Sequence, residues 1–314
     1  MTRTKKLGIS AAVLLAALAV TGAALFPRAK GNFSAPEQFE IADGTPYCVK
    51  DGVLYRYEDG GWSEAEHPEQ VGQLVSCDLA LCTVDQNGTV FYGGELPDPM
   101  EIRSAGSAAA FDMAHQLMEL NSSTPLVGLS GDVALWPSAL AKDGTIFLAA
   151  PSLDHYERYT MEERPTELSD EFVLTEQGNV YSLEVKEFTA EPHLRCIYDG
   201  GDITSISAAY GTGQCLGLKE DGTVLFWNES GSKNFDIPSV AEWTNVRSVK
   251  QGFHFAVGLT EKGEVLYAGC VGSTKEKGSQ LKTWGKIEAI AIYGMTVYGL
   301  KPDGSCVSVE IDLG

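Results

Sequence analysis

Any chemistry in this chain has to come from five histidines, 43 acidic residues and seven cysteines. The histidines are His67, His115, His155, His193 and His254. None stands in a His-Glu-x-x-His pair, and none is matched with cysteine at zinc-ligand spacing, so no metal site is expected. Gly128-Leu-Ser-Gly131 is one residue short of the elbow that exposes a nucleophilic serine. There is no phosphate-cradling glycine loop and no dinucleotide fingerprint, so no cofactor is expected. Asp51, Asp143, Asp221 and Asp303 could act as general acids or calcium ligands. Each, however, immediately precedes a glycine within one recurring local pattern, which makes it a turn former. No catalytic residue can be named. The alternative is an extracellular glycosidase or lyase using two carboxylates on neighbouring loops, since a chain this acidic offers many pairs.

Contact chemistry is better represented. His155-Tyr156-Glu157-Arg158-Tyr159 reads as a loop between two hairpins, and Trp62 follows the first hairpin. Tyrosine, tryptophan and arginine dominate binding hot spots. Trp62, His155, Tyr156, Arg158 and Tyr159 are therefore the binding candidates, on a protein surface or stacked on a sugar. The competing reading packs these rings against neighbouring elements. The cysteines are odd in number, so at least one is unpaired. Cys48, Cys82, Cys215 and Cys306 fall on expected strands as small apolar fillers. A Cys77–Cys82 pair is the alternative.

The elements that must position these side chains come from a repeat. An apolar strand, a short turn ending in glycine and a return strand recur seven times, with turn glycines Gly52, Gly88, Gly144, Gly178, Gly222, Gly263 and Gly304. Asp-Gly and Asn-Gly suit two-residue hairpin turns. The β-branched residues Val90, Ile146, Val180, Val224 and Val265 start the return strands. Successive glycines are 36, 56, 34, 44, 41 and 41 residues apart, a mean of 42. A further strand precedes the later hairpins at Ile203–Ala208, Val246–Val249 and Ile287–Ile292. Three or four strands per repeat, seven times over, predict an all-β, seven-bladed β-propeller spanning residues 39–314.

The stretch Trp243-Thr-Asn-Val-Arg-Ser-Val-Lys-Gln-Gly252-Phe-His254-Phe-Ala-Val-Gly258-Leu-Thr-Glu-Lys-Gly263 resembles a regulator of chromosome condensation repeat. The copies at Ile203–Trp227 and Trp284–Val309 share its frame, while residues 39–190 match only at the hairpins. Trp227-Asn228-Glu-Ser-Gly231 keeps part of the family's closing turn. The resemblance implies a seven-bladed propeller used as a binding platform, of the kind exported by bacteria. The GTPase and chromatin roles of nuclear members are not carried over. Asp59-Gly-Gly-Trp62 faintly resembles the Asp-box of sialidase propellers, but it stands alone.

The chain begins with a membrane signal. Arg3, Lys5 and Lys6 precede 20 uncharged residues, Leu7–Phe26, closed by Pro27, Arg28 and Lys30. That run is long enough to cross a bilayer. Residues 1–26 are expected to be a signal-anchor helix or a cleaved signal peptide, and 27–38 a linker. Either way the remainder lies outside the membrane, as a single-pass protein's extracytoplasmic domain or as a secreted one. Only 18 of the 23 Lys/Arg lie beyond residue 30, against all 43 acids, a formal charge of −25. That balance argues against nucleic acid as a partner.

Between Gly88 and Gly144, Ala110, Met113, Leu117 and Leu120 recur at helical spacing, predicting a short helix over Ser104–Leu120. The expectation as a whole is a non-catalytic platform at the cell envelope, presenting propeller loops to a protein partner or to a polysaccharide.

Overall fold

A computed structural model describes residues 36, 38–42, 44–65, 70–77, 80–85, 90–93, 124–130, 138–149, 156–184, 193–209, 211–270 and 278–311. The expected membrane segment, most of the expected linker, the expected helix at Ser104–Leu120, Gly88 and His155 lie outside these residues. Among the described residues, no helix is long and apolar enough to cross a membrane.

The described strands form seven antiparallel sheets. Sheet I is β1(Gln38–Ala42), β2(Thr45–Lys50), β3(Val53–Glu58) and β4(Gly61–Glu64). Sheet II is β5(Val71–Cys77), β6(Ala80–Asp85) and β7(Val90–Gly93). Sheet III is β8(Leu126–Ser130), β9(Ser138–Ala141), β10(Ile146–Ala149) and β11(Tyr156–Tyr159). Sheet IV is β12(Pro165–Ser169), β13(Phe172–Thr175), β14(Val180–Glu184) and β15(His193–Tyr198). Sheet V is β16(Ile203–Ala209), β17(Gln214–Lys219) and β18(Val224–Asn228). Sheet VI is β19(Val246–Gly252), β20(Phe255–Thr260) and β21(Val265–Gly269). Sheet VII is β22(Ala289–Tyr293), β23(Thr296–Leu300) and β24(Cys306–Glu310).

In every sheet the strands are ordered as in the chain, so each first strand has a neighbour on one edge only. These first strands touch in sequence: β1 against β5, β5 against β8, β8 against β12, β12 against β16, β16 against β19, and β19 against β22. Contact between β22 and β1 closes the ring. Sheet I is built wholly from the beginning of the chain, so no strand is exchanged where the ends meet. Closure rests on side chains. Phe39, Ile41, Cys48 and Trp62 of sheet I form one apolar cluster with Ala291 and Leu300 of sheet VII.

The turns divide into two kinds where one was expected. At Asp51-Gly52 both residues are left-handed, with φ of 53° and 74°, and Lys50 faces Val53, so this turn has two residues. At Gly144, Gly178, Gly222, Gly263 and Gly304 the glycine N–H donates three residues back, to Ala141, Thr175, Lys219, Thr260 and Lys301. Those same five residues donate in turn to the carbonyls of Thr145, Asn179, Thr223, Glu264 and Ser305. The loop therefore has three residues, with the glycine alone left-handed at φ 76–90°. Three of these five loops carry an aspartate before the glycine, while Gln177 and Lys262 stand there in the other two. In Asp143, Asp221 and Asp303, Oδ1 accepts the N–H two residues on, at 2.9 Å, which favours a type I turn followed by a left-handed glycine. Those hydrogen bonds hold the three carboxyls below their usual range. The aspartates are turn formers, as the spacing implied.

The Gly-Leu pair of the repeat has a packing reason. A Cβ on Gly258 would lie 2.9 Å from the ring of Trp243, and one on Gly299 would lie 2.7 Å from Trp284. Each tryptophan precedes its own sheet in the chain and its ring packs on the glycine of the second strand, so that strand must be bare there. Trp243 and Trp284 then fill successive inter-sheet cores with Val246, Val249, Ile287 and Ile290.

Among the described residues, Cys48, Cys196, Cys215, Cys270 and Cys306 are free thiols. Cys82 is in register with Val75, and Cys77 with Ala80, so the considered Cys77–Cys82 pair is not a facing pair.

Candidate functional site

The ring of first strands presents unpaired backbone edges to its interior, and buried N–H groups cannot be left bare. The chain satisfies them from one sheet to the next. Gln38 Oε1 accepts Leu74 N–H at 2.5 Å, and Gln73 Oε1 accepts Leu129 N–H at 3.2 Å. Ser130 Oγ accepts Asp170 N–H at 2.6 Å. Glu167 Oε2 accepts Ile206 N–H at 3.4 Å, and Ser169 Oγ accepts Ala208 N–H at 2.8 Å. Ser207 Oγ accepts Gln251 N–H at 3.0 Å. Between sheets VI and VII the direction reverses, and the Arg247 guanidinium donates to the Glu288 carbonyl at 2.7 Å. These polar residues lie on first strands, where period-2 reading marks only an outward face.

Two charged side chains are shared across the ring. Lys250 of β19 pairs with Glu40 of β1, reaching past β22. Its charge also favours the ionised form of Glu167 on β12, against a larger effect of burial that pushes Glu167 up to about 7.

At the end of the ring where first strands turn into second strands, three loops converge. The β12–β13 turn carries Asp170 and Glu171. Asp170 is left-handed, with φ of 52°, and its Oδ2 accepts Gly211 N–H at 3.0 Å. Glu171 Oε1 lies over Gly213, where a Cβ would stand 3.3 Å away. Burial pushes Asp170 up to about 6, although the Gly211 and Glu171 N–H groups oppose it. Burial and then the neighbouring Asp170 push Glu171 up to about 7.

The third loop is the Phe253–His254 turn of sheet VI. Gly252 faces Phe255 across it, and His254 takes φ of 63°. The rings of Phe253 and His254 are 4.0 Å apart. Burial lowers the His254 pKa. Phe253 is 52% exposed. Gln251, two residues before it, is 6% exposed, and Gln214 is fully buried. Gln251 Nε2 donates to Gln214 Oε1 at 3.2 Å, to Gly252 O at 2.9 Å and to Phe255 O at 3.1 Å. Its Oε1 is buried and accepts nothing.

The residues favoured from sequence are placed elsewhere. Trp62 is not on a free loop: it lies in β4, 3% exposed, and its Nε1 donates to Gly304 O at 2.8 Å. Tyr156, Arg158 and Tyr159 do not form a loop either. They are β11, the outermost strand of sheet III, paired along its length with β10. Alternation along Tyr-Glu-Arg-Tyr is short enough to pass for a loop, and only six residues separate it from the end of its partner strand. Arg158 lies 5.2 Å over the Phe147 ring and reaches Thr124 Oγ1 at 3.4 Å. The Tyr159 hydroxyl donates to Glu157, and its ring joins the core of sheets III and IV. Sheet II separates these residues from Trp62, so the fold does not bring the two candidates together. The mouth residues Asp170, Glu171, Gln251 and Phe253 were not legible as a set. The Gly-x-His of the repeat marked only the Phe253–His254 turn.

Among the described residues, no group of three His, Cys, Asp or Glu could hold a metal ion. No protein-family model matches the chain, and no curated protein matches it. Solved structures do. One is the CRINKLY WD40 ectodomain of the receptor kinase ACR4 from Arabidopsis thaliana, 14% identical over 92% of this chain and 99% of that one, with a TM-score of 0.51. Another is the computationally designed protein Ika8, 12% identical over 90% and 98% of the two chains, with a TM-score of 0.50. Prp20p from Saccharomyces cerevisiae, a protein studied for its binding to Gsp1p and histones, is 13% identical over 76% and 72%, with a TM-score of 0.49. At these identities the likeness to the first two concerns the fold alone, an all-β propeller.

Proposed function

We propose that the chain is a seven-bladed β-propeller of the regulator of chromosome condensation type that serves as a binding platform for a protein, without catalysis of its own. The observation that carries this reading is the closed ring of first strands, tied edge to edge by side chains. It holds the turns at the mouth in fixed positions, so little conformational entropy is lost when a partner docks. In the same reading, Leu7–Phe26 anchors the chain in the membrane or is cleaved on export, and residues 39–314 face away from the cytoplasm. A strongly acidic surface favours a basic partner whose association weakens with salt.

The test is chemical cross-linking of the full chain in its own cells, followed by capture and mass spectrometry at low and high salt. A stoichiometric basic protein, released at high salt, is the expected result. Capture of a polysaccharide that shortens with time overturns the reading in favour of a carbohydrate-active enzyme.

A further inference from the structure

We propose that the hairpin-turn end of the ring faces the membrane, and that the opposite end, with the Phe253–His254 turn, is the face presented to the partner. This deepens the platform reading and rests on it, in the form in which Leu7–Phe26 stays in the bilayer.

The chain enters the ring at a fixed place. Gln38 opens β1, the first strand of sheet I, and is in register with Val49, just before the Asp51-Gly52 turn. That end carries hairpin turns around the ring. The N–H groups of Val71, Ile203, Val246 and Ile287, at or just before the starts of β5, β16, β19 and β22, donate to the carbonyls of Gly52, Gly178, Gly222 and Gly263. The entry point is also clamped. The Gln38 amide donates to Gly72 O at 2.8 Å and accepts Leu74 N–H at 2.5 Å, and Phe39 and Ile41 behind it are buried in the cluster shared with sheet VII.

Eleven residues, 27–37, separate the apolar run from Gln38. Such a length spans about 36–40 Å when fully extended and about 20 Å as a coil. With the hairpin end toward the bilayer, the connection runs straight from the inner ring to the membrane. With the mouth toward the bilayer, it must first run outward over sheet I and then down its side. Three strand spacings take about 14 Å and a six-residue strand about 20 Å more, nearly the whole reach. The shorter route, through the ring, is crossed by the Lys250–Glu40 pair. Only a fully stretched connection permits the second orientation, at the loss of its conformational freedom. The turns between first and second strands therefore point away from the membrane. Among them is Phe253, at 52% the most exposed large apolar side chain of the described residues. A partner in solution meets this end first.

The experiment places the full chain in phospholipid vesicles that carry a rhodamine-labelled lipid. A fluorescein is coupled at one position per sample, through Lys262→p-azidophenylalanine, Lys142→p-azidophenylalanine or Phe253→p-azidophenylalanine. All three positions are exposed, the first two on hairpin turns and the third at the far end of sheet VI. Energy transfer from the two hairpin labels is expected to exceed that from Phe253 by the amount a separation of about 20 Å gives, the length of a six-residue strand. Agreement between Lys262 on sheet VI and Lys142 on sheet III excludes a tilted ring as the cause. Insertion of twenty glycine and serine residues after Gly31 is expected to reduce the difference at least twofold, because reach no longer limits orientation. A difference unchanged by the insertion overturns reach as its cause. Equal transfer from the three labels, or stronger transfer from Phe253, overturns the orientation and leaves the anchor standing. Sequencing the N-terminus of the chain from its own cells separates the two: a start beyond Phe26 removes anchor and orientation together, and the binding platform stands without them.

Discussion

The indole N–H of Trp62 donates to the backbone carbonyl of Gly304 at 2.8 Å, joining two residues 242 apart in the chain. Trp62 sits at the outer edge of sheet I, and Gly304 at the hairpin turn of sheet VII. The bond therefore crosses the junction where the ends of the chain meet, and the ring of Tyr57 stacks tilted against the indole at 5.1 Å. With no strand exchanged between these sheets, this bond and the surrounding cluster of Phe39, Ile41, Ala291 and Leu300 hold the ring shut.

Trp62→Phe keeps a ring in the cluster but leaves the Gly304 carbonyl without its donor. The expected loss is about 1–3 kcal/mol in chemical denaturation. Trp62→Ala also opens a cavity, and about 3–5 kcal/mol is expected. A variant with wild-type stability would show that closure does not depend on Trp62.

Ser207→Ala removes the acceptor for Gln251 N–H on the free edge of β19. Losing that partner is expected to cost about 1–3 kcal/mol and to speed hydrogen exchange of the Gln251 amide selectively. Unchanged exchange at Gln251 would mean that the edge is protected by something other than the serine.

Gly258→Ala pushes a methyl to 2.9 Å from the Trp243 ring. The indole must shift within a core shared with Val246 and Val249, and overpacking of this kind is expected to cost about 1–3 kcal/mol. Thermal unfolding followed by tryptophan fluorescence checks it, with a shifted emission maximum marking the displaced indole.

Glu167 has a carboxyl raised to about 7 by burial, only partly offset by the Ile206 N–H and Lys250. The folded state therefore holds a proton that the unfolded chain releases near its ordinary value of about 4.3. Its contribution to stability is fully present below that lower value and is lost as pH rises through about 7. Glu167→Gln keeps an acceptor for Ile206 without the charge. Its melting temperature is expected to match wild type near pH 4 and to exceed it at pH 8. A constant difference across that range would remove Glu167 from the pH response.

The hairpins are legible in the amino-acid sequence because they are local. Strand alternation and a turn glycine lie within ten residues of each other, and the φ that glycine needs is a property of that stretch alone. The Asp-Gly pairs do not reveal the turn length, because the same dipeptide serves a two-residue turn at Gly52 and a three-residue one at Gly222. The strands Ile203–Ala209, Val246–Gly252 and Ala289–Tyr293 stand out for the same local reason, their alternation.

Position around the ring is not a local quantity. Trp62 reads as a contact residue from its place after the first hairpin, and only contact with sheet VII turns it into a clasp. Tyr156–Tyr159 looks like a loop until β10 supplies the paired edge that makes it a strand. The acceptors at the mouth come from residues 167–171, 214 and 251, spaced by about one repeat, so nothing in their sequence neighbourhoods links them. The order of residues specifies each hairpin through its own turn. Closing the ring decides which polar side chains meet, because that depends on distances that exist only after the sheets pack.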